Sequence, residues 1–585
     1  MKDLKQLVPV WALAYRRNWL AGDLTAGLIV TVMLIPQSLA YALLAGLPAQ
    51  VGLYASILPL IAYALLGSSM TLSVGPVAVA SLMTVSALQP LAIAGSPEYL
   101  GLAIALALIS GLMLMALGLL RMGFLAHLLS HPVISGFISG SAVLIALGQF
   151  KHVFGLSFQG SDLTDILIGL FSNLPDLNPA TTTIGVSVLA LLWAARRLLP
   201  AWLVRLGLSN GSADLAAKLF PMLAVIASTA LVGLTDLAST AGVKVVGFVP
   251  QGLPAVSLPS GIPAGIGQLW LPALLISLVG FVESVSVGQT LAQKRRQRID
   301  PNRELLGLGA ANLASGLSGG YPVTGGFARS VVNFSAGANT PLAGVVAACL
   351  MALVIAAMTG LFYHLPLAVL SATIIVAVSG LIDLQSFKRV WSYDRGDALC
   401  LMATFAGVLL AGIEQGILLG IAFSLAVLVW RHSHPHIAVI GRVGTTEHFR
   451  NVERHTVQTR AGLIGLRVDE SLFFANVSGI ERVIEREIAR QPELSRFLLI
   501  MSAVNRIDST ALDMLTDLDR SLAERGVVLM LAEVKGPVMD RLRGTEFGER
   551  IRDRVFMSTH DAFVACHEDL AAPDPPDASA PVQSR

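Results

Sequence analysis

Two short stretches decide how this chain is read: Met70-Thr71-Leu72-Ser73-Val74-Gly75-Pro76-Val77-Ala78 and Tyr321-Pro322-Val323-Thr324-Gly325-Gly326-Phe327-Ala328-Arg329-Ser330. In each, an extended run leads through Gly, with Pro nearby, into an apolar helical pattern. Ser, Thr and Gly suit the cap before a helix, and Pro suits its first turn. Both stretches therefore predict a helix that begins at this point. The surroundings make that unusual. From Asp23 to Leu120 there is no Lys or Arg, and Glu98 is the only acid after Asp23. Such a run is unfit for a water-facing surface but suits lipid. The two helices are thus expected to start inside a membrane, where irregular backbone is tolerated only beside a cavity.

Working outward, apolar residues make up 54% of the 585 and charged residues 13%, about half the charge of a soluble domain. Apolar runs, broken by Gly, Pro and charges, predict about fourteen transmembrane segments: 22–45, 50–66, 75–91, 99–119, 132–150, 180–198, 217–236, 268–292, 303–319, 326–336, 339–360, 364–380, 396–412 and 415–431. Loop charge tests this independently. With Met1 inside, 18 of the 21 Lys and Arg residues before position 432 fall on inner loops or span edges, while Lys151 and Lys244 fall outside and Arg329 falls within a span. That sorting follows the positive-inside rule and puts both termini in the cytoplasm. An inner (plasma) membrane location is expected.

The two decisive stretches occupy the third place in the first seven segments and the third place in the second seven. Seven is odd, so the halves run in opposite directions. Two half-helices then meet near the midplane, with unpaired N–H groups and about half a positive charge each, a ready site for an anion. Gly75, Pro76, Val77, Ala78, Gly326, Phe327, Ala328 and Arg329 are the candidates on these termini. In the first segment Gln37 and Tyr41 stand one helical turn apart and face one cavity, where an amide and a phenol can orient an anion. Glu283 lies deep in the eighth segment, where an ionised carboxylate costs several kcal/mol, so it is expected to be paired, protonated or cation-bound. Arg329, a buried cation, either draws the anion in or pairs with Glu283.

Other classes are excluded by what the chain lacks. Cys349, Cys400 and Cys566 have no metal or disulfide spacing. No catalytic constellation, cofactor motif or nucleic-acid motif appears, so the chain is not read as an enzyme. Met1–Asn18 is expected to be an amphipathic cytoplasmic segment rather than a signal peptide (domain 1–20). The transport domain covers 21–432, a linker 433–454, an α/β domain 455–570, and a Pro-rich disordered tail 571–585. In the α/β domain, strands at Leu463–Val468, Phe497–Met501 and Val527–Leu531 alternate with helical spacing at Val477, Ile480, Ile484 and Ile488 and at Ala511, Leu515, Leu518 and Leu522.

These residues resemble the SulP anion transporters (sulfate permeases). The resemblance rests on Gly22-Asp23-Leu24-Thr25-Ala26-Gly27, Ile35-Pro36-Gln37-Ser38-Leu39-Ala40-Tyr41, Gly52-Leu53-Tyr54-Ala55-Ser56, Ser73-Val74-Gly75-Pro76, Asn302-Arg303-Glu304-Leu305 and the stretch from Pro322 to Thr340. Ile507-Asp508-Ser509-Thr510 stands in the place of the STAS-domain signature. The resemblance implies a 7+7 inverted repeat with a core domain moving against a gate domain, a homodimer, and a cytoplasmic STAS domain open to a partner. It implies an anion between the third and tenth helices, lined by Gln37 and Tyr41, with Glu283 coupling transport to H+ or Na+. Ala328 departs from the Ser frequent in the family, so binding leans more on backbone N–H groups. Thr510 stands at the position phosphorylated in some stand-alone relatives, which makes Ser509 and Thr510 the regulatory candidates. The expected cargo is a small oxyanion: sulfate, bicarbonate or a dicarboxylate. A nucleobase carrier of the same architecture and a membrane-anchored anion sensor are the alternatives.

Overall fold

The computed structural model describes residues 9–127, 130–158, 160, 162–254 and 265–568. The first eight residues of the N-terminal segment and the tail 571–585 lie outside the described residues. The chain divides into two units, Met1–Ser424 and Leu425–Arg585.

Each of the apolar segments is found as a helix, here numbered α1 to α14. The first seven are α1 (Leu20–Leu44), α2 (broken into Ala49–Tyr54 and Leu58–Leu66), α3 (Ala78–Leu88), α4 (Pro97–Leu119), α5 (His131–Val153), α6 (Pro179–Arg205) and α7 (Asn210–Thr235). The second seven are α8 (Trp270–Lys294), α9 (Pro301–Leu317), α10 (Phe327–Ser335), α11 (Leu342–Ala357), α12 (Leu367–Ser379), α13 (Arg395–Ala411) and α14 (Ile413–Ser433). Among the described residues, 8 helices are long and apolar enough to cross a membrane alone. The shorter ones include α3 and α10, at 11 and 9 residues, too short for a bilayer that needs about 20.

The packing carries the repeat. Helix α9 packs on α4 and α2, α11 on α1 and α2, α8 on α4 and α3, and α10 on α1. A second group joins α5 to α12 and α13, and α6 to α7 and α12. Shifting every helix by seven maps α4–α9 onto α11–α2, α1–α11 onto α8–α4, α1–α10 onto α8–α3 and α6–α12 onto α13–α5. The pairs α2–α9 and α5–α12 map onto themselves. Helices 1–4 and 8–11 therefore form one symmetric group and the rest another, as the 7+7 architecture requires.

Glycines permit the closest approaches in the first group. A Cβ on Gly22 would overlap the Gly337 carbonyl, and one on Gly307 would lie 2.7 Å from the Gly67 backbone. Beside Gly22, the buried carboxylate of Asp23 accepts from the Asn339 and Thr340 amides at 2.6 and 3.0 Å, from the Thr340 hydroxyl at 2.7 Å and from the Tyr15 phenol at 3.2 Å. It ties the start of α1 to the turn between α10 and α11. Asp23→Asn turns an N–H donor toward groups that are themselves donors. The expected loss is roughly 2 kcal/mol, seen as a lower unfolding temperature in detergent; an unchanged temperature would show the staple to be dispensable.

The second unit holds a six-stranded sheet ordered β4-β3-β5-β6-β7-β8, where β1 and β2 are the pair described below. Its strands are β3 (Ile437–Arg442), β4 (Phe449–Asn451), β5 (Leu463–Val468), β6 (Arg496–Ile500), β7 (Val528–Ala532) and β8 (Val555–Phe556). Strands β5 to β8 pair in parallel, and β3 joins antiparallel. Period-2 alternation divides the core. Phe497 and Leu499 face a cluster with Ile480, Ile484 and Leu515 from α15 (Val477–Ala489) and α16 (Ser509–Glu524), while Leu498 and Ile500 face one with Phe563 and Cys566. The expected linker 433–454 is corrected: it supplies β3 and β4. Ile437 and Val439 pack against the first cluster and Ala438 and Ile440 belong to the second, so the stretch has a face to bury on each side of the sheet.

Just after β5, Asp469 accepts from Arg467 Nε at 2.6 Å and from His436 Nδ1 at 2.8 Å. Burial pushes this carboxyl up, but the Arg467 and His436 bonds outweigh it and hold it below the usual carboxylate range. A depressed folded value stabilises above the unfolded value, about 4, and that stabilisation is lost as pH falls through the folded value. Wild type and Asp469→Asn are therefore expected to differ in unfolding temperature at pH 6 and to converge below about pH 4. Curves that stay parallel would remove Asp469 from the acid response.

Candidate anion site

The two decisive stretches meet. Val74–Gly75 (β1) pairs antiparallel with Thr324–Gly325 (β2), Val74 opposite Gly325 and Gly75 opposite Thr324. This two-residue ladder satisfies backbone that a membrane would otherwise leave unpaired. It also corrects two expectations. Helix α3 starts at Ala78 with Val77 as its cap residue, and α10 at Phe327 with Gly326 as its cap. Gly75 is a strand residue, and neither Pro76 nor Pro322 lies in a helical first turn, because the ladder takes up the residues around them.

Side chains lace the crossing. Asn312 of α9 accepts from the Val323 amide at 3.0 Å and donates to its carbonyl at 2.9 Å, acting as an extra strand beside β2. The Ser284 hydroxyl of α8 accepts from the Gly325 amide at 2.9 Å, and Thr324 donates to the Gly280 carbonyl at 2.7 Å. From α10, Ser330 accepts from the Ser73 amide at 3.0 Å and Asn333 donates to the Thr71 carbonyl at 3.0 Å. At the head of the stretch, the buried Glu304 carboxylate receives the Ser68 and Ser69 amides, the Ser68 hydroxyl and the Tyr63 phenol at 2.6–2.8 Å. Glu304 was legible only as part of a motif. Asn312 and Asn333 were not assigned from sequence, since small polar residues in membrane helices carry no distinctive signal.

The result is two short helices with their N-termini turned to one cavity. The first intrahelical bonds run from Ser81 to the Val77 carbonyl at 3.0 Å and from Ser330 to the Gly326 carbonyl at 3.0 Å, so the amides of Ala78, Val79 and Ala80 and of Phe327, Ala328 and Arg329 precede the helical ladders. The cavity, about 60 Å³, is lined by Gln37, Tyr41, Pro76, Val77, Ala78, Gly326, Phe327, Ala328, Arg329 and Glu283. Every candidate residue except Gly75 borders it. Its volume is about that of two waters, a scale suited to a compact ion. It adjoins a larger cavity of about 450 Å³, which shares Gln37, Tyr41 and Ala328 and reaches Arg196 and Pro200 near the end of α6.

Arg329 is 2% exposed, yet it is not paired with Glu283. Its guanidinium turns back to donate to the Pro76 carbonyl at 2.8 Å and the Ser73 carbonyl at 3.4 Å. A Cβ on Gly75 or Gly326 would lie 3.4 or 3.0 Å from it. The cation thus caps the entry to α3 while its charge stays beside the cavity. No ion pair within 4.0 Å joins Arg329 to Glu283. Glu283 borders the anion cavity and also an apolar gap against Val133, Phe137, Val279, Val282 and Ile417. Its Oε2 is buried without a hydrogen-bond partner. In the second unit, Asp508 caps α16 by accepting from the Ala511 amide at 2.9 Å, and Ser509 and Thr510 stand exposed in its first turn.

Comparison with known proteins places this geometry. Residues 20–404 match the sulfate permease family and residues 454–562 the STAS domain. A probable sulfate transporter of Mycobacterium tuberculosis is 35% identical over 554 residues, 94% of this chain and 96% of that one. Probable sulfate transporter 4.2 of Arabidopsis thaliana is 34% identical over 572 residues, covering 95% and 83%. In fold, the chain is similar to the murine solute carrier 26 family member A9 anion transporter in its inward-facing state (TM-score 0.87, 24% identity, 96% and 94% covered). It is also similar to the transmembrane domain of the cyanobacterium bicarbonate transporter BicA (TM-score 0.58, 24% identity, 70% and 98% covered). With a family match over most of its membrane unit and relatives aligned nearly end to end, this chain belongs to the sulfate permease family, with a C-terminal STAS domain.

Proposed function

We propose that the chain is a secondary active transporter that takes up a small oxyanion across the inner membrane, coupled to protons through Glu283. The observation that carries the reading is the opposition of two half-helix N-termini across one small cavity, with the Arg329 charge at its edge. The amides supply donors without a full charge, which holds an anion and still releases it. The relatives' names make sulfate the first substrate to test, with bicarbonate and a dicarboxylate such as fumarate next.

Protons are favoured over sodium by how the oxygens near Glu283 are used. A sodium ion needs several oxygen ligands, but the Ser284 hydroxyl is already engaged with Gly280, Thr324 and Gly325. A lone carboxyl facing apolar side chains suits a proton. In the orientation set by loop charge, the larger cavity leads to the cytoplasmic face, so the conformation is read as inward-facing. Uptake follows when helices 1–4 and 8–11 move as a core against the remaining gate helices. A homodimer with cytoplasmic termini completes the proposal.

Uptake of labelled sulfate, bicarbonate and fumarate into proteoliposomes, under a proton or a sodium gradient imposed separately, tests it. Accumulation of one anion under the proton gradient is expected. Accumulation under neither gradient would overturn the symport reading in favour of an exchanger, a channel or a sensor.

A further inference from the structure

Two lysines stand apart from every other basic residue of the membrane unit in the loop-charge pattern, and the structure brings them together. Lys151 lies in the last turn of α5, half-buried, with Nζ 3.5 Å from the Phe158 carbonyl and 5.9 Å from the centre of its ring. Lys244 follows α7, is exposed, and donates to the Ser157 hydroxyl at 2.7 Å. The two ammonium groups therefore flank one dipeptide, Ser157-Phe158, and feel each other's charge, as does the imidazole of His152 beside them. Among the described residues no carboxylate lies within 4.0 Å of either ammonium. Clustered like charges without a counter-charge are unfavourable by themselves, and an anion between them reverses the sign.

Their place in the fold says which anion path they serve. Helix α6 has 27 residues, so it is roughly 40 Å long. The larger cavity reaches Arg196 and Pro200 near its C-terminal end. The lysine cluster lies at its N-terminal end, where Asn178 caps α6 and donates to the Ala241 carbonyl at 2.8 Å. The Lys244 carbonyl also accepts from the Leu367 amide at 3.0 Å, the first residue of α12. Farther along the same helix, Thr373 and Ala377 line the cavities. The cluster thus sits on the opposite membrane face from the open cavity, at the outer end of a helix that leads to the anion site.

We propose that Lys151 and Lys244 form an outer capture site that binds the incoming oxyanion before it reaches the half-helices. The inference rests on the transport reading above. Its action is electrostatic: it raises the local anion concentration and is screened by salt, with a Debye length of about 10 Å at 0.1 M.

The test uses full-length protein in proteoliposomes of fixed sidedness, with labelled sulfate supplied to the outer face. Lys151→Gln/Lys244→Gln is expected to raise KM roughly three- to tenfold at low ionic strength with kcat retained, and the difference is expected to shrink in high salt. Lys244→Glu should exceed Lys244→Gln; both alter an exposed side chain, so they stand alone if the double variant folds poorly. Sulfate supplied to the inner face should show no change in KM. An outer KM and salt dependence equal to wild type would overturn the proposal. So would a KM rise confined to vesicles containing phosphatidylglycerol and absent in phosphatidylcholine, which would assign the cluster to a lipid headgroup. Wild type that moves none of sulfate, bicarbonate and fumarate would instead count against transport itself.

Discussion

Glu283→Gln is expected to abolish concentrative uptake while leaving the anion cavity intact. The carboxyl touches two environments, the anion cavity on one side and the apolar gap with Val133, Phe137 and Ile417 on the other. Its Oε2 has no hydrogen-bond partner. Glutamine keeps the shape and removes the titrating oxygen. For one proton per anion, each pH unit drives about a tenfold concentration ratio, equivalent to about 1.4 kcal/mol. In the variant that ratio should fall to one under any proton gradient, while anion binding and counterflow persist. Wild-type accumulation in Glu283→Gln would remove this residue from coupling. Loss of binding as well would mean that the carboxyl shapes the site.

The second large effect is expected at Arg329. Its guanidinium joins α10 to the carbonyls of Ser73 and Pro76, so it sets the approach of the two half-helices and holds a positive charge beside the cavity. Hydrogen bonds from a charged donor contribute about 1.5–3 kcal/mol each. Arg329→Ala should weaken equilibrium sulfate binding roughly 10- to 100-fold. Lysine retains the charge but not the planar fork that reaches two carbonyls. Arg329→Lys is therefore expected to bind within tenfold of the alanine variant rather than of wild type. Near-normal affinity in Arg329→Lys would show that charge alone matters and that the bonds to the α3 entry do not.

Much of the fold was legible because lipid imposes a strong pattern. The run without Lys or Arg, the charge sorting and the two Gly-rich stretches gave the segments, their alternation and the repeat. Most helices begin and end within three residues of those expectations, but α6 runs seven residues past its expected end and α7 starts seven before its expected start. Gly75 and Pro76 show where reading from local rules stopped. Capping preferences placed them at a helix start, but a strand pair between residues far apart in sequence had claimed Gly75 and left Pro76 short of the helix, and no local signal reports such pairing. The linker expectation failed because 449–451 is a strand only through its hairpin with 437–442, which is itself held in the sheet by 463–468. Arg329 was visible as a buried cation, but its direction depended on the Pro76 carbonyl and on a Ser73 carbonyl that also accepts the Gly326 amide at 3.1 Å. Residues such as Asn312 and Asn333 were silent, because one side-chain amide in a membrane helix looks alike whether it braces a site or merely bonds its own backbone.

The most direct measurement is the position of a heavy-atom analogue of the anion. Selenate mimics sulfate in charge and shape, and its selenium can be located by anomalous scattering in crystals of the full chain. One selenium peak is expected between the first turns of α3 and α10, within hydrogen-bond reach of the Ala78 and Ala328 amides and bordered by Gln37 and Tyr41. Selenium bound with clear occupancy elsewhere, and absent from between those helices, would contradict it.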